Sequence, residues 1–143
     1  MGGLTIVPET SPTHALVFLC RNCDAHRQTQ GTNNYASSLE DLKRFEDAKS
    51  LLRKIMPVAR RVLGDSHEIT LKMRWIYAKA LYRNDSATLD DLREAVTTLV
   101  ETERTARRVL GGAHPLTPSI ERSLRLARAA LRARETPPAG DTE

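Results

Sequence analysis

The chain has 143 residues, the length of one ordinary domain; 40% are hydrophobic and 28% charged, a balance that excludes a wholly disordered polymer. No apolar run is long enough to cross a membrane, since the longest, Ala15 to Cys20, falls far short, and two cysteines are too few for a secreted disulfide framework. The net charge of +4 is divided into blocks: eight Lys/Arg against two acids over 51–83, six acids against one Arg over 84–103, and eight Arg against one Glu over 104–134.

Residues 1–24 fit no periodic pattern and are taken as a separate N-terminal segment. No Lys or Arg precedes the Ala15–Cys20 run, so a signal peptide is not expected. Ile6 stands where a myristoylation signal wants Ser or Thr. A cytoplasmic setting follows as the expectation. Cys20-Arg21-Asn22-Cys23 with His26 has zinc-like spacing. Only His14 is near enough to supply a fourth ligand, so ordinary thiols are the expected reading and no metal or cofactor is assigned.

From there the chain reads as helices. Ala, Leu, Arg and Glu favour helix, and aromatics, at 4%, leave the core to Leu, Ala, Val and Ile. Helices are predicted over roughly 28–42, 45–63, 68–83, 89–110 and 115–134. The first has an apolar set Tyr35, Leu39, Leu42. The second steps by three and four through Phe45, Ala48, Leu52, Ile55, Ala59 and Val62, and the fourth does the same through Leu92, Ala95, Leu99, Thr102, Ala106 and Val109. The third presents Ile69, Met73, Tyr77 and Ala80; the fifth presents Leu116, Ile120, Leu124, Ala127 and Leu131. Pro57 should kink or weaken the second helix. Thr88 with Asp91 forms a capping-box pattern opening the fourth. Pro115 suits a first helical turn. Residues 135–143, with Pro137-Pro138-Ala139-Gly140, read as a disordered tail.

A repeat organises these helices. Ala-Arg-Arg-Val-Leu-Gly occurs at Ala59 to Gly64 and again at Ala106 to Gly111. Each copy leads into a turn carrying a histidine, Asp65-Ser66-His67 and Gly112-Ala113-His114, and Asp24-Ala25-His26 reads as a fainter third copy. Thr follows each histidine by three residues, at Thr29, Thr70 and Thr117. Gly64 and Gly111 sit where a helix end wants positive φ.

These residues resemble the tetratricopeptide family, most closely its kinesin-light-chain-like branch. Asn33-Asn34-Tyr35-Ala36 with Phe45-Glu46-Asp47-Ala48 looks like that branch's Asn-Asn-Leu-Ala and Tyr-Glu-Glu-Ala signatures. Val62-Leu63-Gly64-Asp65-Ser66-His67 looks like its Val-Leu-Gly-x-x-His-Pro linker, and Val109-Leu110-Gly111-Gly112-Ala113-His114-Pro115 matches that linker throughout. The resemblance covers roughly residues 24–134 and implies an all-α, right-handed solenoid of about two and a half repeats over 25–134, closed by a C-terminal capping helix. Arg125 stands opposite Ala78, which fits a polar outer face on that last helix. Two and a half repeats is short for a solenoid, so self-association, a longer array or an N-terminal cap would complete the stack. Residues Asn84 to Thr88 are an insertion between the paired helices, expected as a surface loop.

The same resemblance implies a non-enzymatic module that binds a peptide segment of another protein in a groove lined by the first helix of each repeat. Carried over by position, the peptide-binding residues are Asn33, Asn34 and Ser37 from the first repeat, with Gln30 and Asp41 beside them. The second repeat supplies Lys72, Trp75, Lys79, Tyr82 and Arg83; Arg122 and Leu126 close the end. Asn34 would hydrogen-bond the ligand backbone. Lys72, Trp75, Lys79 and Tyr82 share a helix face both basic and aromatic, which suits an acidic segment. The rival reading has Trp75 packed as core with Lys79 snorkelling over it. A structural subunit docking into a larger complex is a second alternative. A nucleic-acid module using Arg125, Arg128 and Arg132 is disfavoured, because no aromatic or amide reader is interleaved with the arginines. His67 and His114 read as turn residues rather than catalytic bases.

Overall fold

The computed structural model describes residues 21–136, with side chains from residue 27 onward. The described residues form five α-helices: α1 (Arg21–Asp41), α2 (Phe45–Leu63), α3 (Glu68–Tyr82), α4 (Leu89–Val109) and α5 (Leu116–Glu135). They stack as two antiparallel pairs, α1–α2 and α3–α4, followed by α5. α3 is the hub, packing against all four other helices. Nine of its fifteen residues are buried, which only a central helix can sustain. α2 and α4 touch α3 but not each other, and α1, α3 and α5 lie side by side on the opposite face.

The predicted apolar stripes explain this stacking. Ala48, Leu52 and Ala59 of α2 and Leu92, Ala95, Leu99, Thr102 and Ala106 of α4 are buried. Ala36, Ala48, Ala78 and Ala95 are each fully buried, which lets paired helices approach closely. Thr102 keeps its place in an apolar stripe because its hydroxyl donates to the Thr98 carbonyl at 2.6 Å. Val109, the last residue of its stripe, is 44% exposed.

The turns between repeats are two copies of one device. Gly64 (φ 95°) and Gly111 (φ 90°) break the preceding helices in the left-handed half of φ space. Three residues later a histidine caps the next helix: His67 Nδ1 accepts from the Ile69 N–H, and His114 Nδ1 from the Leu116 N–H, both at 3.1 Å. Pro115 is helical and has no N–H to leave orphaned. The Thr88–Asp91 capping box is present in both directions, at 3.0 Å each way.

Two expectations are corrected. α1 is already helical at Arg21, well before 28, so Asp24-Ala25-His26 is helix and not a third turn. Cys23 stands where the true turns have Gly64 and Gly111, so no positive-φ residue interrupts the helix there. Second, Tyr35 and Leu42 are 57% and 68% exposed. Leu39 is buried as expected, and the rest of the inward face of α1 is Thr29, Asn33, Ala36 and Glu40, mostly polar and so invisible to apolar periodicity. α2 runs from Phe45 to Leu63 with Pro57 inside it. Pro57 is exposed, so water can take the carbonyl bond that its missing N–H leaves open. The zinc-spaced Cys20, Cys23, His14 and His26 side chains, and the tail from residue 137, lie outside what the structure describes.

Candidate functional site

The α3 sequence places one residue in every three or four on its solvent side, and these meet the facing residues of α5. Trp75, Lys79 and Tyr82 from α3 and Arg83 at its C-cap, with Ser119, Arg122, Ser123 and Leu126 from α5, line a trough of about 440 Å³. Glu68, Lys72 and Trp75 with His114, Pro115, Leu116 and Ser119 line a second, of about 370 Å³. The two share Trp75 and Ser119, so they run together along the α3–α5 seam.

Trp75 anchors the seam. Its Nε1–H donates to Ser123 Oγ at 2.8 Å, tying α3 to α5. One part of the ring packs on the core and another lines the trough. Lys79 Nζ lies 4.2 Å from the ring centroid, a cation–π contact. The groove and core readings of Trp75 therefore describe two faces of one ring. Burial pushes the Tyr82 phenol above its ordinary pKa, with the Ser123 hydroxyl pulling the other way.

Sequence reasoning missed the residue beneath the trough. Glu40, in the last turn of α1, is 1% exposed. Its carboxylate faces Lys79 Nζ at 3.1 Å and Arg83 Nη1 at 3.3 Å, close charge contacts that lie off the hydrogen-bond axis. Burial pushes the Glu40 carboxyl above its ordinary value, and the two cations pull it back. Arg83 also sits over Phe45, 5.7 Å from the ring centroid. Two of the expected ligand-binding cations are thus already engaged within the fold. Lys72 pairs only with Glu68 of its own helix, at 3.6 Å. Arg122 is exposed and has no ion-pair partner among the described residues.

The first-repeat residues are placed differently. Asn33 is 5% exposed, and its Oδ1 has no hydrogen-bond partner. Asn34 is exposed, with its carbonyl accepting from Ser38 Oγ at 3.2 Å. Ser37 and Gln30 are half-buried and Asp41 is exposed. None of these five lines either trough.

The opposite side carries a separate polar cluster where α2 and α4 stand apart. Arg53 Nε donates to Tyr77 Oη at 2.9 Å, and Tyr77 Oη donates to Glu94 at 2.7 Å. Burial and that carboxylate push the Tyr77 phenol up to about 12. Arg74 pairs with Glu101 at 2.9 Å. The cations there meet acids, so the cluster braces α2, α3 and α4 around a cavity of about 370 Å³ lined by Arg53, Arg74, Tyr77, Glu94 and Glu101. Among the described residues no group of three or more His, Cys, Asp or Glu is placed to hold a metal, and no helix is long and apolar enough to cross a membrane.

No curated protein and no solved structure matches the chain. Repeats that stack helix pairs in this way generally serve as protein–protein interaction modules. The family model of the tetratricopeptide repeat matches residues 32–68, from the middle of α1 through α2 to the start of α3, so the chain carries a tetratricopeptide repeat within an all-α, tetratricopeptide-like helical solenoid.

Proposed function

We propose that the α3–α5 seam binds a peptide segment of another protein, without chemistry. The observation that carries this reading is that Trp75, Lys79, Tyr82, Arg83, Arg122 and Leu126, chosen on sequence grounds, line one trough. An aromatic ring, an exposed leucine and an unpaired arginine in one channel suit an extended segment with apolar and acidic side chains. Asn33, Asn34 and Ser37 would act as a flank along α1 and not as part of the channel. The two His-capped, Gly-broken linkers support assignment to the kinesin-light-chain-like branch, and a cytoplasmic scaffold role fits that assignment.

The test is capture of a partner from source-cell lysate by wild type and by Lys72→Glu/Arg122→Glu. Lys79 is unsuitable for charge reversal, because a carboxylate there would face buried Glu40. Loss of one defined partner, with helical content and melting unchanged, supports the seam. Equal capture by both proteins sinks it.

A second reading, a structural subunit within a larger assembly, is favoured by one observation. Tyr35 and Leu42, seven residues apart on one face of α1, are both largely exposed. Tyr35→Ser/Leu42→Ser should then abolish a complex that the seam variant leaves intact.

A further inference from the structure

We propose that Glu40 is the internal counter-charge that sets the ligand preference of the α3–α5 trough, favouring segments with one carboxylate, seated at Arg122, over runs of acids. The inference rests on the peptide-binding reading of that trough. Three cations line it: Lys79, Arg83 and Arg122. Two of them are held from below by one carboxylate that solvent scarcely reaches.

A ligand carboxylate that recruited Lys79 or Arg83 would draw it from Glu40. That would leave a buried charge with less compensation, which is costly in a low-dielectric interior. Arg122 carries no such obligation, so a first ligand carboxylate gains its full attraction there. A second or third acid meets cations already in use and gains little. Glu40 also holds the Lys79 ammonium over the Trp75 ring, so the aromatic surface is presented with its cation in place. The chemistry that fits is an apolar side chain on Trp75 and Leu126 beside a single carboxylate.

Trp75 is the chain's only tryptophan, so its fluorescence reports on the trough directly. The first arm needs no ligand. Iodide and neutral acrylamide are compared as quenchers in wild type and Glu40→Gln. Removing the counter-charge should raise iodide quenching roughly twofold, as local anion concentration follows local potential, with acrylamide unchanged. An unchanged iodide response overturns the role of Glu40 and leaves the trough itself standing.

The second arm titrates end-blocked Gly-Leu-Glu-Leu-Gly and Glu-Leu-Glu-Leu-Glu. Wild type should bind the one-acid peptide about threefold more tightly than the three-acid peptide, whereas Glu40→Gln should bind the three-acid peptide roughly tenfold more tightly than wild type does and the one-acid peptide almost unchanged. Equal gains for both peptides overturn the preference. An iodide effect with no binding of either peptide sinks the peptide reading and the preference together. Should Glu40→Gln fail to fold, Arg122→Met, at an exposed position, still decides. It should weaken the one-acid peptide roughly tenfold, and unchanged binding overturns the assignment of its carboxylate to Arg122.

Discussion

The two helix pairs solve the same packing problem with different chemistry. α3 turns Met73, Tyr77 and Leu81 inward, and the pair is sealed by burial of apolar surface. α1 turns Thr29, Asn33 and Glu40 inward, with Ala36 and Leu39 the apolar members of its buried face. Apolar burial dominates the second pair, with the Tyr77–Glu94 and Arg74–Glu101 contacts added at its edge. In the first pair, burial of polar groups is a cost that partners must offset, and for Glu40 the partners come from α3. The two repeats are therefore coupled through ion pairs that offset only part of the cost of burying Glu40, and damage on α3 should be felt in α1.

The sharpest way to break that arrangement is Lys79→Glu. It replaces one of the two cations facing Glu40 with a second acid. Removing a partner from a buried pair costs about 3–5 kcal/mol, and adding a like charge places this variant at the top of that range. Urea unfolding of the full chain reads it. A loss under about 1 kcal/mol would mean that Glu40 reaches water and the contrast between the pairs is false. Leu99→Ala makes the matching test in the second pair. Leu99 is fully buried, so a cavity loss of about 3 kcal/mol is expected from the same measurement. That loss should not depend on pH.

The pH dependence separates the pairs further. The Glu40 pKa is raised in the folded protein, so the unfolded chain ionises first as pH rises. The folded state is then penalised progressively from the ordinary carboxylate value up to the raised one, and fully above it. Glu40→Gln removes that penalty. Its melting temperature relative to wild type should therefore increase between about pH 4 and pH 7. Asp91 has the opposite sign: hydrogen bonding from the Thr88 N–H holds its carboxyl below the ordinary value. Its contribution is present above the unfolded value and is lost as pH falls through the depressed one, so Asp91→Asn should matter least in strong acid. A difference for Glu40→Gln that is flat with pH would show that burial does not govern that carboxyl.

The turns draw the contrast at smaller scale. Both linkers between repeats use a positive-φ glycine and a histidine cap, and their sequences repeat as their structures do. His67→Ala and His114→Ala should each cost about 1 kcal/mol, the usual loss for a helix N-cap. Thermal unfolding of the two variants checks it. Similar losses support one device used twice, and a loss at His67 alone would tie its role to the central position of α3.

Legibility followed the same division. α2 to α5 could be read to within a residue or two, because apolar stripes and repeated linkers both mark them. The part of α1 before residue 28 does not read as helix, because a short Asp-Ala-His likeness to the true turns masks the absence of a glycine before it. Tyr35 and Leu42 read as inward because they are apolar at helical spacing, yet the buried face contains a glutamate. An isolated Glu near a helix end reads as solvated, and only the fold shows that Lys79 and Arg83 converge on it from 39 and 43 positions away. Half of the site was open to sequence reasoning, since a basic and aromatic face on one helix is a local pattern. The contributions of Ser119, Ser123 and Glu40 depend on neighbours distant in sequence.

The turn inside the first pair carries no signal that a sequence reader would recognise. Lys43 adopts φ 62°, a left-handed conformation rare for a residue with a side chain. Its N–H bonds the Glu40 carbonyl at 2.9 Å, and the Arg44 N–H bonds the Leu39 carbonyl at 2.8 Å. This pairing is the Schellman closure, which usually carries glycine at the left-handed position. Here the strained position lies three residues after the buried Glu40, whose carbonyl its N–H bonds, so the turn that ends α1 also bears on where that carboxylate enters the fold. Lys43→Gly relieves a conformational cost of about 1 kcal/mol and gives back part of it as freedom in the unfolded chain, leaving a gain of roughly 0.5 kcal/mol. The melting temperature should rise by about 1–2 °C. Lys43→Val, with a branched side chain at positive φ, should fall by more than the glycine gains. If glycine lowered the melting temperature instead, the Lys43 side chain would itself be holding the turn, and the order of Lys43→Gly and Lys43→Ala would show it.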